Sequence, residues 1–98
     1  MKKRSDNLQK SSVEELFGDV IRQLRSDKGL SQEGLGFESG YHRTYISMLE
    51  RGKKSPSLKT IFQIAKALEI NPSEIIERLQ TLQNNSSEKK NPEAVLKK

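Results

Sequence analysis

The sequence predicts an all-α domain of five short helices packed around one core. Three observations predict it: apolar residues recur at helical spacing from Val13 to Leu82, cap and stop residues punctuate that pattern, and no segment alternates convincingly with period two. With 98 residues, one core is all the chain can fill.

The first helix is expected from Val13 to Lys28, with Val13, Leu16, Phe17, Val20, Ile21 and Leu24 forming an i, i+3, i+4, i+7 stripe. Ser12 and Glu15 form a capping box, in which each side chain satisfies an amide left unpaired at the helix start, and Gly29 suits a left-handed stop. Ser31 caps a second helix that runs to about Ser39, and Gly40 offers the next left-handed position. Gly34 and Gly36 lie inside this helix, and each costs roughly 1 kcal/mol against Ala, so packing must hold it. A third helix follows from Arg43 to Arg51, with His42 at the cap, Tyr41 and Ile46 at the two positions of a hydrophobic staple, and Gly52 at the end.

Ser57 caps the fourth helix, with Leu58, Ile61, Phe62, Ala65 and Leu68 expected on its buried face. Asn71-Pro72-Ser73-Glu74 opens a fifth, carrying Ile75, Ile76, Leu79 and Leu82. Residues 1–11 are expected to be a flexible basic tail, 12–83 the folded domain, and 84–98 a polar tail in which Asn91-Pro92 is a weak start for a further short helix.

Composition excludes several functions. Eighteen Lys and Arg against thirteen Asp and Glu leave a net charge of +5, which favours polyanionic partners. The absence of Cys removes disulfides, thiolate metal sites and a cysteine nucleophile, and suits a reducing compartment. One His, no Gly-rich phosphate loop and no framed carboxylate pair leave no catalytic constellation, so neither an enzyme nor a cofactor or metal is expected. No apolar run approaches the ~20 residues of a membrane span, and a cytoplasmic protein is expected.

Two short helices joined by a tight Gly turn outline a helix-turn-helix. At about 100° per residue, Arg43, Thr44, Ser47, Met48 and Arg51 share one face of the third helix, whereas Ile46 and Leu49 point to the core. That exposed face suits base reading. Arg donates a bidentate pair to guanine, Thr and Ser bond several base edges, and the apolar atoms of Thr or Met pack on a thymine methyl, so Arg43, Thr44, Ser47 and Met48 are the candidate base contacts. Tyr45 lies between the two faces, within reach of a phosphate. Glu50 would be repelled by phosphate and is expected to be structural, in an ion pair with Arg25 or Arg22. One such helix reads too few base pairs for a genome, and a symmetric dimer reading half-sites about 34 Å apart remedies this. Ile75, Ile76, Leu79 and Leu82 are the candidate dimer interface, with Ala94-Val95-Leu96 as an addition if it folds.

The stretch from Leu30 to Ile76 resembles the Cro and phage-repressor type of helix-turn-helix domain, the lambda-repressor-like fold. The resemblance is carried by Leu30-Ser31-Gln32, Gly40, Ile46-Ser47, Glu50-Arg51-Gly52, Pro56-Ser57-Leu58 and Ile64-Ala65-Lys66-Ala67-Leu68. Within that superfamily, Gly36-Phe37-Glu38-Ser39-Gly40 followed by His42-Arg43-Thr44-Tyr45-Ile46-Ser47 looks like the controller proteins of restriction-modification systems. The resemblance implies a homodimer that binds palindromic operators in duplex DNA and both activates and represses transcription, with RNA polymerase as a further candidate partner. It also implies phosphate contacts at Gln32, Lys53, Lys54 and Ser55, to which Arg51 and Lys28 add charge. An antitoxin whose tail wraps a toxin, and a phage-type repressor, are the rival readings. Gly34 and Gly36 depart from the family's usual Glu and Ala, and Met48 stands where many relatives carry a charged or amide side chain.

Overall fold

The computed structural model describes residues 12–90. Five helices follow one another: α1 (Val13–Asp27), α2 (Gln32–Ser39), α3 (Arg43–Glu50), α4 (Leu58–Leu68) and α5 (Pro72–Lys90). Among the described residues there is no strand. None of the described helices is long and apolar enough to cross a membrane. The expected basic tail of residues 1–11, the helix start at Asn91-Pro92 and the segment Ala94-Val95-Leu96 lie outside the described residues.

Local chemistry sets the boundaries. Ser12 and Glu15 exchange two bonds of 3.0 Å, Ser12 Oγ accepting from the Glu15 amide while Glu15 Oε1 accepts from the Ser12 amide. Ser31 Oγ accepts from the Gly34 amide at 2.8 Å and Ser57 Oγ from the Thr60 amide at 3.0 Å, so each helix start gains a partner for an amide that has none within the helix. Gly40, at φ 86°, ends α2 in the left-handed region where a side chain would be strained, and so turns the chain sharply into α3. The α4 helix ends on Glu69, also left-handed at φ 62°, whose carboxylate accepts from Lys28 Nζ at 2.7 Å. That ammonium holds the Glu69 carboxyl below the usual carboxylate range.

The core is built from Phe17, Val20, Ile21 and Leu24 of α1, Leu35 of α2, Ile46 and Leu49 of α3, Ile64, Ala65 and Leu68 of α4, and Ile75 of α5. Here α1 packs on α3 and α5, α2 packs on α3 and α4, and α4 meets α5. The buried face of α4 is rotated from the expected one. Thr60, Ile64, Ala65 and Leu68 are buried, while Leu58 and Phe62 are 72% and 56% exposed. The reason is tertiary: α4 lies between α2 and α5, and the arc facing both is centred on Ile64 and Leu68. The fifth helix also continues as helix through residues 84–90, inside the segment expected as a polar tail.

One glycine sets how closely two helices approach. A Cβ on Gly18 would collide with the Glu50 carbonyl oxygen and lie 2.6 Å from that of Leu49, so α1 and the end of α3 meet backbone to backbone. Gly18→Ala would favour an isolated helix by about 1 kcal/mol. In this chain it is expected to lower stability by roughly 2 kcal/mol, because backbone cannot give way as a side chain can. Urea unfolding of the two proteins checks this, and an unchanged or raised midpoint would refute the close approach.

Candidate nucleic-acid interface

The α2–turn–α3 unit is fixed on its inner side by two polar anchors. The first is centred on Glu50, which is buried at 2% exposure. Arg25 donates to both of its carboxylate oxygens, Nε to Oε2 at 2.6 Å and a terminal nitrogen to Oε1 at 2.9 Å. A third Arg25 nitrogen donates to the Leu30 carbonyl at 2.9 Å, and Gln32 Nε2 donates to Glu50 Oε1 at 2.9 Å. Arg22 completes the group by donating to the Glu50 backbone carbonyl at 3.2 Å. The carboxylate raises the Arg25 pKa through its hydrogen bond first, and its charge adds to this against the opposing effect of burial. One acidic side chain therefore ties the end of α3 to α1 and to the start of α2.

The second anchor is a tyrosine pair. Tyr41 and Tyr45 pack with ring centroids 4.9 Å apart, and their hydroxyls lie 3.0 and 3.3 Å from Oγ1 of the buried Thr60. The turn and the first part of α3 are thereby held against α4, and Gln63 adds a 2.9 Å bond to the Ser39 carbonyl. His42 caps α3, its Nδ1 accepting from the Thr44 amide at 3.0 Å.

The opposite side of α3 is left to solvent. Ile46 and Leu49 are fully buried, whereas Arg43 and Thr44 are exposed and Ser47 and Met48 half-buried along the outer face. Arg51 folds back so that Nε donates to Ser47 Oγ at 3.3 Å, and exposed Lys53 and Lys54 follow in the loop before α4. Among the described residues no salt bridge engages Arg43, Arg51, Lys53 or Lys54. Ser55 Oγ donates to Glu14 Oε2 at 3.2 Å. Lys28 is paired with Glu69 at the end of α4.

Three of the candidate residues are turned inward. The Gln32 amide nitrogen is bound to Glu50, and the Tyr45 hydroxyl shares Thr60 with Tyr41. Ile75 is fully buried in the chain's own core and has no surface to offer a second copy. Ile76 is 45% exposed, and Leu79 and Leu82 are partly buried against the core. Sequence reasoning passed over Thr60 and Gly18. The signal for Thr60 lay in its place on the apolar side of α4, three residues after the cap and beside Ile61 and Ile64, where a polar group must find a partner.

A short helix with a polar outer face, presented by an anchored turn and flanked by exposed cations, defines a helix-turn-helix protein. Comparison with known proteins specifies it further. The Helix-turn-helix family matches residues 21–75, over half of the chain, and the chain belongs to that family. It is 44% identical over 68 residues to the control protein C.BamHI of Bacillus amyloliquefaciens, a match that covers 68% of this chain and 84% of the relative. It is similar in structure to the restriction-modification controller protein C.AhdI from Aeromonas hydrophila, with a TM-score of 0.61 and 48% identity over 62% of this chain and 92% of that one. The restriction-modification controller protein C.Esp1396I matches with a TM-score of 0.67 and 33% identity, covering 74% of this chain and 92% of its own.

Proposed function

We propose that this chain is a sequence-specific, duplex-DNA-binding transcriptional regulator that acts in the cytoplasm as a homodimer on palindromic operators, in the role of a restriction-modification controller. The observation that carries this reading is the outer face of α3: Arg43, Thr44, Ser47 and Met48 point away from a helix whose other side is clamped to α1 and α4. Rigid presentation matters, because base-edge hydrogen bonds discriminate only when donor positions are fixed in advance. Similarity to control proteins supports the regulatory role, and a controller that activates as well as represses would also touch RNA polymerase.

In this reading Arg43 pairs with a base edge, Thr44, Ser47 and Met48 read its neighbours, and Arg51, Lys53, Lys54 and Ser55 hold the phosphates. Because the Gln32 side chain is bound to Glu50, its phosphate contact falls to the amides at the start of α2, which the helix itself leaves unpaired. Tyr45 supports α3 from behind. The second copy covers Ile76, Leu79 and Leu82 of α5, together with the exposed Phe62 and Leu58 of the adjoining α4.

Selection of bound duplexes from a random pool tests the reading. A palindrome with one fixed half-site spacing is expected, and enrichment of no sequence would refute direct readout. Lys53→Ala is expected to weaken every duplex alike, matched or mutated, and to lower the slope of log affinity against log salt by roughly 0.9 per protomer. Titrations at several salt concentrations check this, and a loss confined to one sequence would reassign Lys53 to base reading.

A further inference from the structure

Side chains on a helix tilt toward its N-terminus, so the long side chain at position 51 lies back over position 47, one turn earlier. Arg51 is held at that spot from both directions. Its amide donates to the Ser47 carbonyl at 3.0 Å, and left-handed Gly52, packed against Glu15, fixes the chain behind it. From there Arg51 Nε donates to Ser47 Oγ at 3.3 Å.

That bond decides what the Ser47 hydroxyl has left to offer. A hydroxyl inside a helix can give its proton to the carbonyl four residues back. Ser39 does so toward Leu35 at 2.7 Å, and Thr81 toward Glu77 at 3.0 Å. Ser47 does not: its Oγ accepts from Arg51, and among the described residues its O–H has no acceptor in the protein. An N–H aimed at Oγ turns the hydroxyl proton away from the guanidinium. It also polarises the O–H, which becomes a better donor while the remaining lone pair becomes a poorer acceptor.

We propose that Arg51 is a positioning residue for sequence specificity: through Nε it holds Ser47 as a hydrogen-bond donor to a base edge, and its terminal nitrogens stay free for a phosphate. This rests on the DNA-binding reading and adds to it the sense in which Ser47 reads. The acceptors of the major groove are purine N7, guanine O6 and thymine O4, whereas the amino groups of adenine and cytosine are donors that such a hydroxyl rejects. A phosphate bound to the same guanidinium couples register on the backbone to the orientation of a base-reading group.

Arg51→Lys isolates the effect, because lysine keeps the cation but carries a methylene where arginine carries Nε. The full chain, Arg51→Lys, Ser47→Ala and the double variant are titrated against the selected operator and its single-position mutants, with melting temperature as the control for folding. Ser47→Ala is expected to reduce discrimination at one symmetric pair of positions about fivefold per half-site, and Arg51→Lys about threefold at the same pair with its salt slope unchanged. Adding Arg51→Lys to Ser47→Ala is expected to relax preference no further. Removing acceptors at that pair reads the donor sense. A transition puts an amino group in place of guanine O6 or thymine O4, a deazapurine lacks N7, and one of the two is expected to erase the difference between the unaltered chain and Ser47→Ala. Undiminished discrimination in Arg51→Lys, a further loss when it is added to Ser47→Ala, or a difference that survives both acceptor changes would overturn the role of Arg51 and leave the DNA-binding reading standing. Selection of no duplex by the unaltered chain would overturn both.

Discussion

Arg25→Ala is expected to lower the stability of the chain by about 3 kcal/mol, a large share of the roughly 5–15 kcal/mol that holds a domain of this kind together. The loss does not measure an attraction between two charges. Glu50 is buried, and with Arg25 gone it keeps only Gln32 on its carboxylate and Arg22 at a longer 3.8 Å. The carboxylate then bears a desolvation cost that its remaining partners do not offset. The Leu30 carbonyl loses its donor as well, loosening the link from α1 to α2. Thermal unfolding is expected to shift downward by about 10–20 °C. The double replacement Arg25→Met/Glu50→Leu separates the two causes, because an apolar pair of similar volume leaves no charge stranded. It is expected to recover most of the loss. If the double variant is no better than Arg25→Ala, the deficit comes from lost packing of the arginine stem and the stranded-charge account is wrong.

The same cluster shows what could be read in the sequence and what could not. Helix starts and stops were legible because their chemistry is local: Ser12 with Glu15, Ser31, His42, Ser57 and Gly40 each act on amides or carbonyls within a few residues. The inward placement of Ile46 and Leu49 was legible too, since an eight-residue helix with two branched apolar groups three apart has one face to bury. The pairing of Glu50 with Arg25 was legible as well, because a carboxylate on a phosphate-facing helix needs a cation, but neutral polar side chains whose partners lie on a distant element were not. The inward turn of Gln32 depends on Glu50, eighteen residues away, and that of Tyr45 on Thr60, fifteen residues away. The α4 stripe failed for a related reason. Its apolar residues extend around more than half of the helix, and only the positions of α2 and α5 decide that Ile64 is covered while Phe62 is not.

Glycines give the sharpest contrast between propensity and packing. By propensity alone Gly36 weakens α2, yet a Cβ there would lie 2.5 Å from the Tyr41 carbonyl oxygen. The turn folds back over the helix at that point, so the absence of a side chain lets Gly40 and Tyr41 donate to the Gly36 carbonyl at 2.8 Å. The residue that costs the helix secures the angle at which α3 is presented. A sequence window sees the cost, because it belongs to the segment itself. The gain belongs to the turn and appears only when the two are brought together.

Arg43→Ala is expected to reduce operator affinity by about 1–3 kcal/mol per half-site, and so at least about 30-fold for a symmetric dimer, while leaving non-specific duplex binding far less affected. Arg43 is exposed and stands at the first position of α3, and among the described residues it forms no salt bridge. Its removal therefore changes nothing that holds the fold, and the melting temperature should stay where it is. In the proposed reading the N-terminal end of α3 enters the groove first, where the fork of Arg43 can match the two acceptors of a guanine. Losing that pair relaxes preference at one base position in each half-site, which removing the charge of Lys53 does not do. Titration against operators mutated singly at every position distinguishes the two. For Arg43→Ala the penalty should vanish at one symmetric pair of positions and persist at the others. Equal losses on every sequence would place Arg43 on a phosphate instead, and the burden of base reading would pass to Thr44, Ser47 and Met48.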